Sequence, residues 1–446
     1  MRGRGPAGRP SDGAAGGFPG GGATGASTDA STDASTDVPR RPARGGIFLL
    51  SLAGFFGIFS TTISKSPVLP LFVKSLSASE TVIGLIAAVS PFAGVLFSFP
   101  VGMLADRLGK KRLLLLSGAV LLAAPVLYLL VGNPFWLIPI RFFHGIATAI
   151  LSPVASAYIL GAYPDSKGEK LGLFSSATLV GRTLAPLLGG ALISWFLYLG
   201  GALPYRAVYV GAFVLAVPAF VLILLLDRGT GDAGPGPARI SPRDFVHGLR
   251  DFLGNRRLLG TSLVEMATYF AYGILETYLP LYLSGLGVPA YQIGLVFSLQ
   301  VLSIALTKPL FGRLADRVDR RIQVFAGIAL LAVATALIPL SASVIVVTLV
   351  SVLFGLAVSI STVATSSYVA EVVKKEQIGA SIGGLSSIMD IGHSSGPFVA
   401  GVIITASGLA AGFFSGAAAC VLAIGLFSVM VLRRADAAAA AGTRSR

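Results

Sequence analysis

Seven ionisable side chains fall inside strongly apolar stretches of the chain: the acids Glu265, Glu276 and Asp390, and the cations Lys65, Arg141, Arg182 and Lys308. In hydrocarbon each unpaired charge costs at least about 2.5–3.5 kcal/mol on insertion scales, so each is expected to face a polar cavity or a partner. The chemistry open to them is proton exchange and charge pairing. A carboxyl drawn out of water can bind and release a proton near neutral pH, the requirement of proton-driven exchange. Glu265, Tyr269, Tyr272 and Glu276 recur at helical spacing on one face, a stripe able to relay protons or cradle an amphipathic molecule. Glu265, nearer one end of its stretch, also suits a solvated role. Asp390 stands one turn from Ser386 and Ser394 and suits either proton binding or a structural pairing with Arg182. Arg141 shares a face with Gly145, Thr148 and Ser152, which fits a cavity stripe or a guanidinium bonded to carbonyls. Lys308, just before Gly312, is expected to snorkel to the interface.

Other chemistries lack their residues. His144, His247 and His393 are scattered without metal-ligand spacing, and Cys420 is the single cysteine, so no metal, cofactor or disulfide is expected. His144 reads as a packed histidine. No nucleophile–base or phosphate-loop constellation is present, so an enzyme is not expected.

The elements that must position these groups are membrane helices. The composition is 54% hydrophobic and 12% charged, whereas a water-facing exterior carries about 25% charge. Twelve stretches are long enough to cross a bilayer, at 47–73, 81–104, 113–131, 134–160, 171–195, 206–226, 258–284, 290–312, 322–340, 342–370, 378–405 and 409–432. With both termini inside, the outer loops hold only Lys74 and Arg206, and nearly all other cations lie on the cytoplasmic side, which predicts N-in, C-in topology. The net charge of +14 is thereby explained without a nucleic-acid partner.

An internal repeat organises the spans. Gly84 and Gly294, Asp106 and Asp316, Gly145 and Gly355, and Tyr158 and Tyr368 are each 210 residues apart; Gly181 and Gly392, and Pro186 and Pro397, are 211 apart. The chain therefore divides into a disordered cytoplasmic tail (1–44, without the apolar core of a signal peptide), a six-helix bundle (45–226), a cytoplasmic linker (227–257), a second six-helix bundle (258–432) and a tail (433–446). Within the linker, 241–253 suits either an amphipathic surface helix or a flexible connection. By the same offset Glu276 matches Ser66, the neighbour of Lys65. Opposite charges then stand at similar depths of spans one and seven, where they could pair as an outer gate.

Two loops carry the most specific pattern: Gly102-Met103-Leu104-Ala105-Asp106-Arg107-Leu108-Gly109-Lys110-Lys111-Arg112, and Gly312-Arg313-Leu314-Ala315-Asp316-Arg317. They resemble the signature loop of the major facilitator superfamily, and the resemblance covers about residues 45–432. It implies an all-α membrane protein of twelve helices in two pseudo-symmetric six-helix halves, with a central cavity and alternating access. It also implies an inner latch at Gly102, Asp106, Arg107, Gly109, Gly312, Asp316 and Arg317. Arg141-Phe142-Phe143-His144-Gly145 looks like the family element associated with proton coupling. Gly181, Ala185-Pro186 and Gly189-Gly190 resemble the antiporter motif of drug-efflux members, with Ala185 where Gly is usual. The eleventh span repeats it as Gly392, Gly396-Pro397, so plain helix packing accounts for much of it. The first span offers Lys65 where many proton-linked exporters carry an acid, so coupling would fall to Glu276 or Asp390, with Arg141, Arg182, Tyr269 and Tyr272 around the cavity. The expected function is proton-coupled efflux of a small hydrophobic or amphipathic compound by a monomer in the plasma membrane. The alternatives are proton-linked transport of an organic anion, favoured by four intramembrane cations against three acids, and a non-transporting sensor.

Overall fold

The structure is a computed structural model and describes residues 45–226, 254–373 and 378–432, with side chains throughout except at 98–100, 102–107, 378–380, 382–383 and 432. The expected tails and the amphipathic segment at 241–253 lie outside the described residues. No strand occurs among those described.

Hydropathy located the spans, and the helices overrun several of them because backbone hydrogen bonding continues past the apolar stretch. The first span is two helices, Gly46–Ile63 and Val68–Ser75, parted at 64–67 where Pro67 supplies no amide donor. The second to sixth are Glu80–Leu108, Lys110–Leu129, Leu137–Ala162, Lys167–Trp195 and Leu203–Leu224. The seventh to twelfth are Arg256–Gly285, Ala290–Ala315, Arg320–Leu337, Val344–Val372, Ile378–Ser407 and Leu409–Phe427. Side-chain caps start several of them: Ser79 accepts from the Val82 amide, Asn255 from Arg257 and Leu258, and Asp319 from Arg321. A single residue, Gly109, joins the second and third helices at φ +84°, a conformation that costs glycine little.

Eleven spans qualify as long and apolar enough to cross a membrane among the described residues. The remaining helix, Ile378–Ser407, is 30 residues long but carries Ser386, Ser387, Asp390, His393, Ser394 and Ser395. Its polar face needs a protein interior.

The repeat seen in the sequence reappears as repeated contacts. Gly145 of the fourth helix lies against the Ser90 carbonyl of the second, and Gly355 of the tenth against the Gln300 carbonyl of the eighth, both partners displaced by 210. Between the halves the pairs cross over. Gly84 of the second helix abuts the Pro397 carbonyl of the eleventh, and Gly294 of the eighth abuts the Pro186 carbonyl of the fifth. Gly401 meets the Glu80 carbonyl, and Gly190 meets that of Ala290. A pseudo-two-fold axis thus relates the second–eleventh and fifth–eighth helix pairs, with backbones touching because no Cβ intervenes.

All these crossings lie at one end of the bundle, which the charge bias predicts to be the outer one and which is called the outer end below. Tyr278 Oη seals it, its one proton shared between the Pro397 carbonyl at 2.8 Å and the Glu80 carbonyl at 3.0 Å. The Leu187 amide donates to Ser298 Oγ at 3.1 Å, and Tyr291 N to Ser194 Oγ at 3.0 Å. Toward the opposite end the fifth and eighth helices separate. A Cβ added at Gly168, Gly172 or Gly312 would find nothing within 4 Å. Among the described residues the cleft between the halves is shut at the outer end and opens toward the inner one along the fifth and eighth helices.

A Cβ at Gly294 collides with backbone, and overpacking of this kind costs about 1–3 kcal/mol, so Gly294→Val is expected to prise the outer end apart. Labelling of a cysteine placed at Ser298 by a membrane-impermeant maleimide checks this: it should be slow with Gly294 in place and fast with valine. Gly172→Val should leave it slow.

Candidate functional site

Three helices meet at the shut end of the cleft, and the break in the first of them exposes Lys65 to the other half. Lys65 Nζ lies 2.7 Å from Glu276 Oε2 of the seventh helix. The same oxygen lies 3.0 Å from His393 Nε2 of the eleventh, and Lys65 Nζ and His393 Nε2 are 3.5 Å apart. The rings of Tyr269 and Tyr272 flank His393 at 6.0 and 5.7 Å and stand 5.9 Å from one another. Phe354 of the tenth helix backs Tyr272 at 6.3 Å. Side-chain exposures of 25% for Lys65, 14% for Glu276 and 16% for His393 put the cluster at the edge of the cleft.

Asp390 sits one turn inward of His393, its carboxylate against Gly94 of the second helix, where an added Cβ would lie 3.0 Å from Oδ2. The structural pairing of Asp390 with Arg182 is not formed: neither has an ion-pair partner within 4.0 Å among the described residues. Asp390 instead fills the space that glycine leaves, and Arg182 is exposed in the cleft. Arg182 nevertheless acts electrostatically on Lys65, Tyr269, Tyr272 and Lys308, which locates it centrally.

Arg141 is 1% exposed, and its Nε and Nη2 have no hydrogen-bond partner among the described residues. Such buried donors are expensive, and the reading of a guanidinium satisfied by carbonyls fails for two of its three nitrogens. Beside it, His144 Nδ1 lies 3.0 Å from Tyr128 Oη, and the Tyr128 and Tyr209 rings are 4.7 Å apart. Gly145, expected on the cavity stripe with Arg141, is spent on packing against the second helix.

The seventh-helix stripe divides. Tyr269, Tyr272 and Glu276 line the cleft, whereas Glu265 is 4% exposed and accepts a hydrogen bond from Thr365 Oγ1 of the tenth helix. It is neither solvated nor part of the stripe, because its position on the helix turns it into the second half's own core.

The small-residue motifs serve two interfaces. Gly181 meets the Phe55 carbonyl, Gly189 meets Ile63 and Val68, Gly392 the Met266 carbonyl and Gly396 the Phe270 carbonyl, all within a half. Pro186, Gly190 and Pro397 make the contacts between halves. At the inner end, the side chains of Gly102, Asp106 and Arg107 lie outside the described residues. Their repeats Asp316 and Arg317 are exposed; Asp316 Oδ1 is 3.9 Å from Arg320 Nη2 of its own half, and Arg320 Nη1 bonds Glu371 at 2.5 Å. The hydrogen bond from Arg321 holds the Asp319 carboxyl below the usual carboxylate range.

A sequence profile of the Major Facilitator Superfamily matches residues 49–299 and 284–445. The chain belongs to the major facilitator superfamily. An MFS-type transporter of Methanocaldococcus jannaschii is 23% identical over 370 residues, covering 83% of this chain and 94% of that protein. The multi-drug resistance efflux pump PmrA of Streptococcus pneumoniae is 27% identical over 277 residues, 59% of this chain and 66% of the pump. Among solved structures, a bacterial homolog of the lysosomal transporter Spinster shares the fold with a TM-score of 0.70 at 18% identity, over 86% of this chain and 95% of that one. As a superfamily member the chain is a multi-pass membrane transporter of a small molecule, similar to the drug-efflux group.

Within that superfamily fold, His393 is the site residue that spacing alone missed. Its spacing from the other histidines suits no metal, and the signal it does carry is its place one turn from Asp390 on the most polar of the spanning helices.

Two outcomes test the site. Lys65→Glu and Glu276→Lys are each expected to cut transport at least about tenfold, and the double reversal to recover most of it, as an interaction worth about 1.4 kcal/mol requires. Arg141→Met is expected to keep or raise the melting temperature in detergent, since it removes unsatisfied buried donors, while abolishing transport. A lower melting temperature would make Arg141 a structural residue.

Proposed function

We propose that the protein is a proton-coupled exporter of small hydrophobic or amphipathic compounds, working by alternating access as a monomer in the plasma membrane with both termini cytoplasmic. The carrying observation is the ionisable cluster in the cleft between the halves, Lys65, Glu276, His393 and, one turn away, Asp390. Protons bound there can be exchanged for substrate only if both use the same cleft in turn. The half-buried rings of Tyr269 and Tyr272, backed by the buried Phe354, offer an aromatic lining suited to a lipophilic ring system. The similarity to PmrA, a protein named as a multi-drug efflux pump, supports export as the direction. In this reading Lys65 and Glu276 form the outer gate, Arg141 and Arg182 tune the proton-binding carboxylates, and the loops at Gly102–Gly109 and Gly312–Arg317 latch the inner end when the cleft turns outward. The exposed Asp316 and Arg317 fit an unlatched inner end.

A second reading has its own observation. Arg182 and Lys308 are exposed, face the cleft from opposite halves, act on one another electrostatically, and have no acidic partner within 4.0 Å among the described residues. An organic anion would supply the missing charge.

Proteoliposomes with an imposed pH gradient separate the two. Lipophilic dyes are expected to move against the proton flow with the native residues in place, with Asp390→Asn and Glu276→Gln uncoupling the exchange. Arg182→Gln should then leave dye movement largely intact. If organic acids move instead, and Arg182→Gln stops them, the anion reading holds; a pH gradient that drives neither class refutes proton coupling.

A further inference from the structure

We propose that His393 is the proton-binding site that controls the Lys65–Glu276 pair, so that proton uptake by His393 opens the outer end. The inference rests on the reading of that pair as a gate and adds the group that answers to pH.

One carboxylate oxygen, Glu276 Oε2, holds both Lys65 Nζ and His393 Nε2, at 2.7 and 3.0 Å. The lysine ammonium only donates, so the arrangement closes when Nε2 also carries its hydrogen toward Glu276. That tautomer, assigned from the hydrogen-bond pattern, leaves the ring neutral with its lone pair on Nδ1. Nδ1 has no hydrogen-bond partner among the described residues, and the side chain keeps 16% exposure toward the cleft. A proton arriving at Nδ1 makes His393 a cation whose Nε2 lies 3.5 Å from Lys65 Nζ. Two cations then contend for one oxygen away from bulk water, where their repulsion is weakly screened.

The fold determines which cation gives way. His393 and Glu276 belong to one half, whose eleventh and seventh helices lock backbone to backbone where Gly392 meets the Met266 carbonyl and Gly396 that of Phe270. Tyr269 and Tyr272 hold the imidazole on both sides. Lys65 belongs to the other half, in the break between Ile63 and Val68, and carries its ammonium on a long flexible side chain that is 25% exposed, the most exposed of the three. Lys65 is the member that moves.

The remaining cations around the ring act in the same direction, and the Asp390 carboxylate acts on Lys65 in the opposite one. Arg141 of the fourth helix acts on both Lys65 and His393, and Arg182 of the fifth acts on Lys65; each adds to the positive side of the contest. Asp390 lies one turn away on the eleventh helix itself. The second and tenth helices present Gly94 and Phe354 to this region, which carry no charge.

The test places spin labels on cysteines substituted for Tyr198 and Leu340, loop residues of the two halves that are 76% and 67% exposed, in the full-length protein in lipid nanodiscs. Cys420 is fully buried and stays in place. Double electron–electron resonance is expected to give mainly a short separation near pH 8, and a longer one that grows about tenfold as the medium is acidified to about pH 5. His393→Gln, which keeps a donor for Glu276 but cannot become a cation, should stay short at both pH values. His393→Arg, which cannot lose its charge, should be long at both. A native acid response in His393→Gln, or no acid response in the native protein, overturns the proposal. If Asp390→Asn abolishes the response that His393→Gln keeps, the proton site is Asp390. Lys65→Ala should be long at both pH values; if it stays short, the gate reading itself fails, whatever the histidine does.

Discussion

An ionised side chain in hydrocarbon must find an opposite charge or water, and the arrangement of this bundle follows from that constraint. Lys65 meets Glu276 because the first helix breaks at 64–67 and turns the lysine across the cleft. His393 reaches the same oxygen because Gly392 and Gly396 let the eleventh helix lie directly on the seventh. The groups left over, Arg182, Lys308 and Asp390, border the cleft, where water and substrate can reach them. Among the described ionised groups Arg141 is buried with two donors unsatisfied, a cost that the packing of the first half must offset.

The same device, backbone against backbone at a glycine, builds both the rigid halves and the movable seam between them. Within a half these contacts repeat along long helix pairs and are joined by extensive apolar burial, as at Gly181 on Phe55 and Gly392 on Met266. Between halves, among the described residues, they stand at the outer end, at Gly84, Gly190, Gly294 and Gly401, with a few hydrogen bonds that involve Tyr278, Ser194 and Ser298. A short seam is able to open without disturbing either bundle. The crossing of the pairs by the pseudo-two-fold axis makes the two seams alike in geometry, so both can yield together when the halves rock.

Polarity is distributed accordingly. The eleventh helix carries the serines, Asp390 and His393 and packs between the second and seventh helices, which shelter much of its polar face. The tyrosines of the seventh helix give the cleft an aromatic lining with hydroxyl groups, able to hold an apolar ring while leaving room for a charged neighbour.

Much of this was legible in the sequence, and the reason is the bilayer itself. Its thickness sets helix length, its loss of hydrogen-bonding partners forces helices, and its charge asymmetry sets a topology, so spans, repeat and loop motifs could be read from residue order alone. Even the meeting of Lys65 with Glu276 followed from the repeat offset, since equal offsets imply equal depths. Rotation about each helix axis is what the order of residues left open. A shift of one residue turns a side chain by about 100°, and only the packed neighbours set it. That is why Glu265 turns to Thr365 and not to the cleft, why Asp390 meets Gly94 and not Arg182, and why His393, unremarkable in sequence, stands at the junction of the two halves.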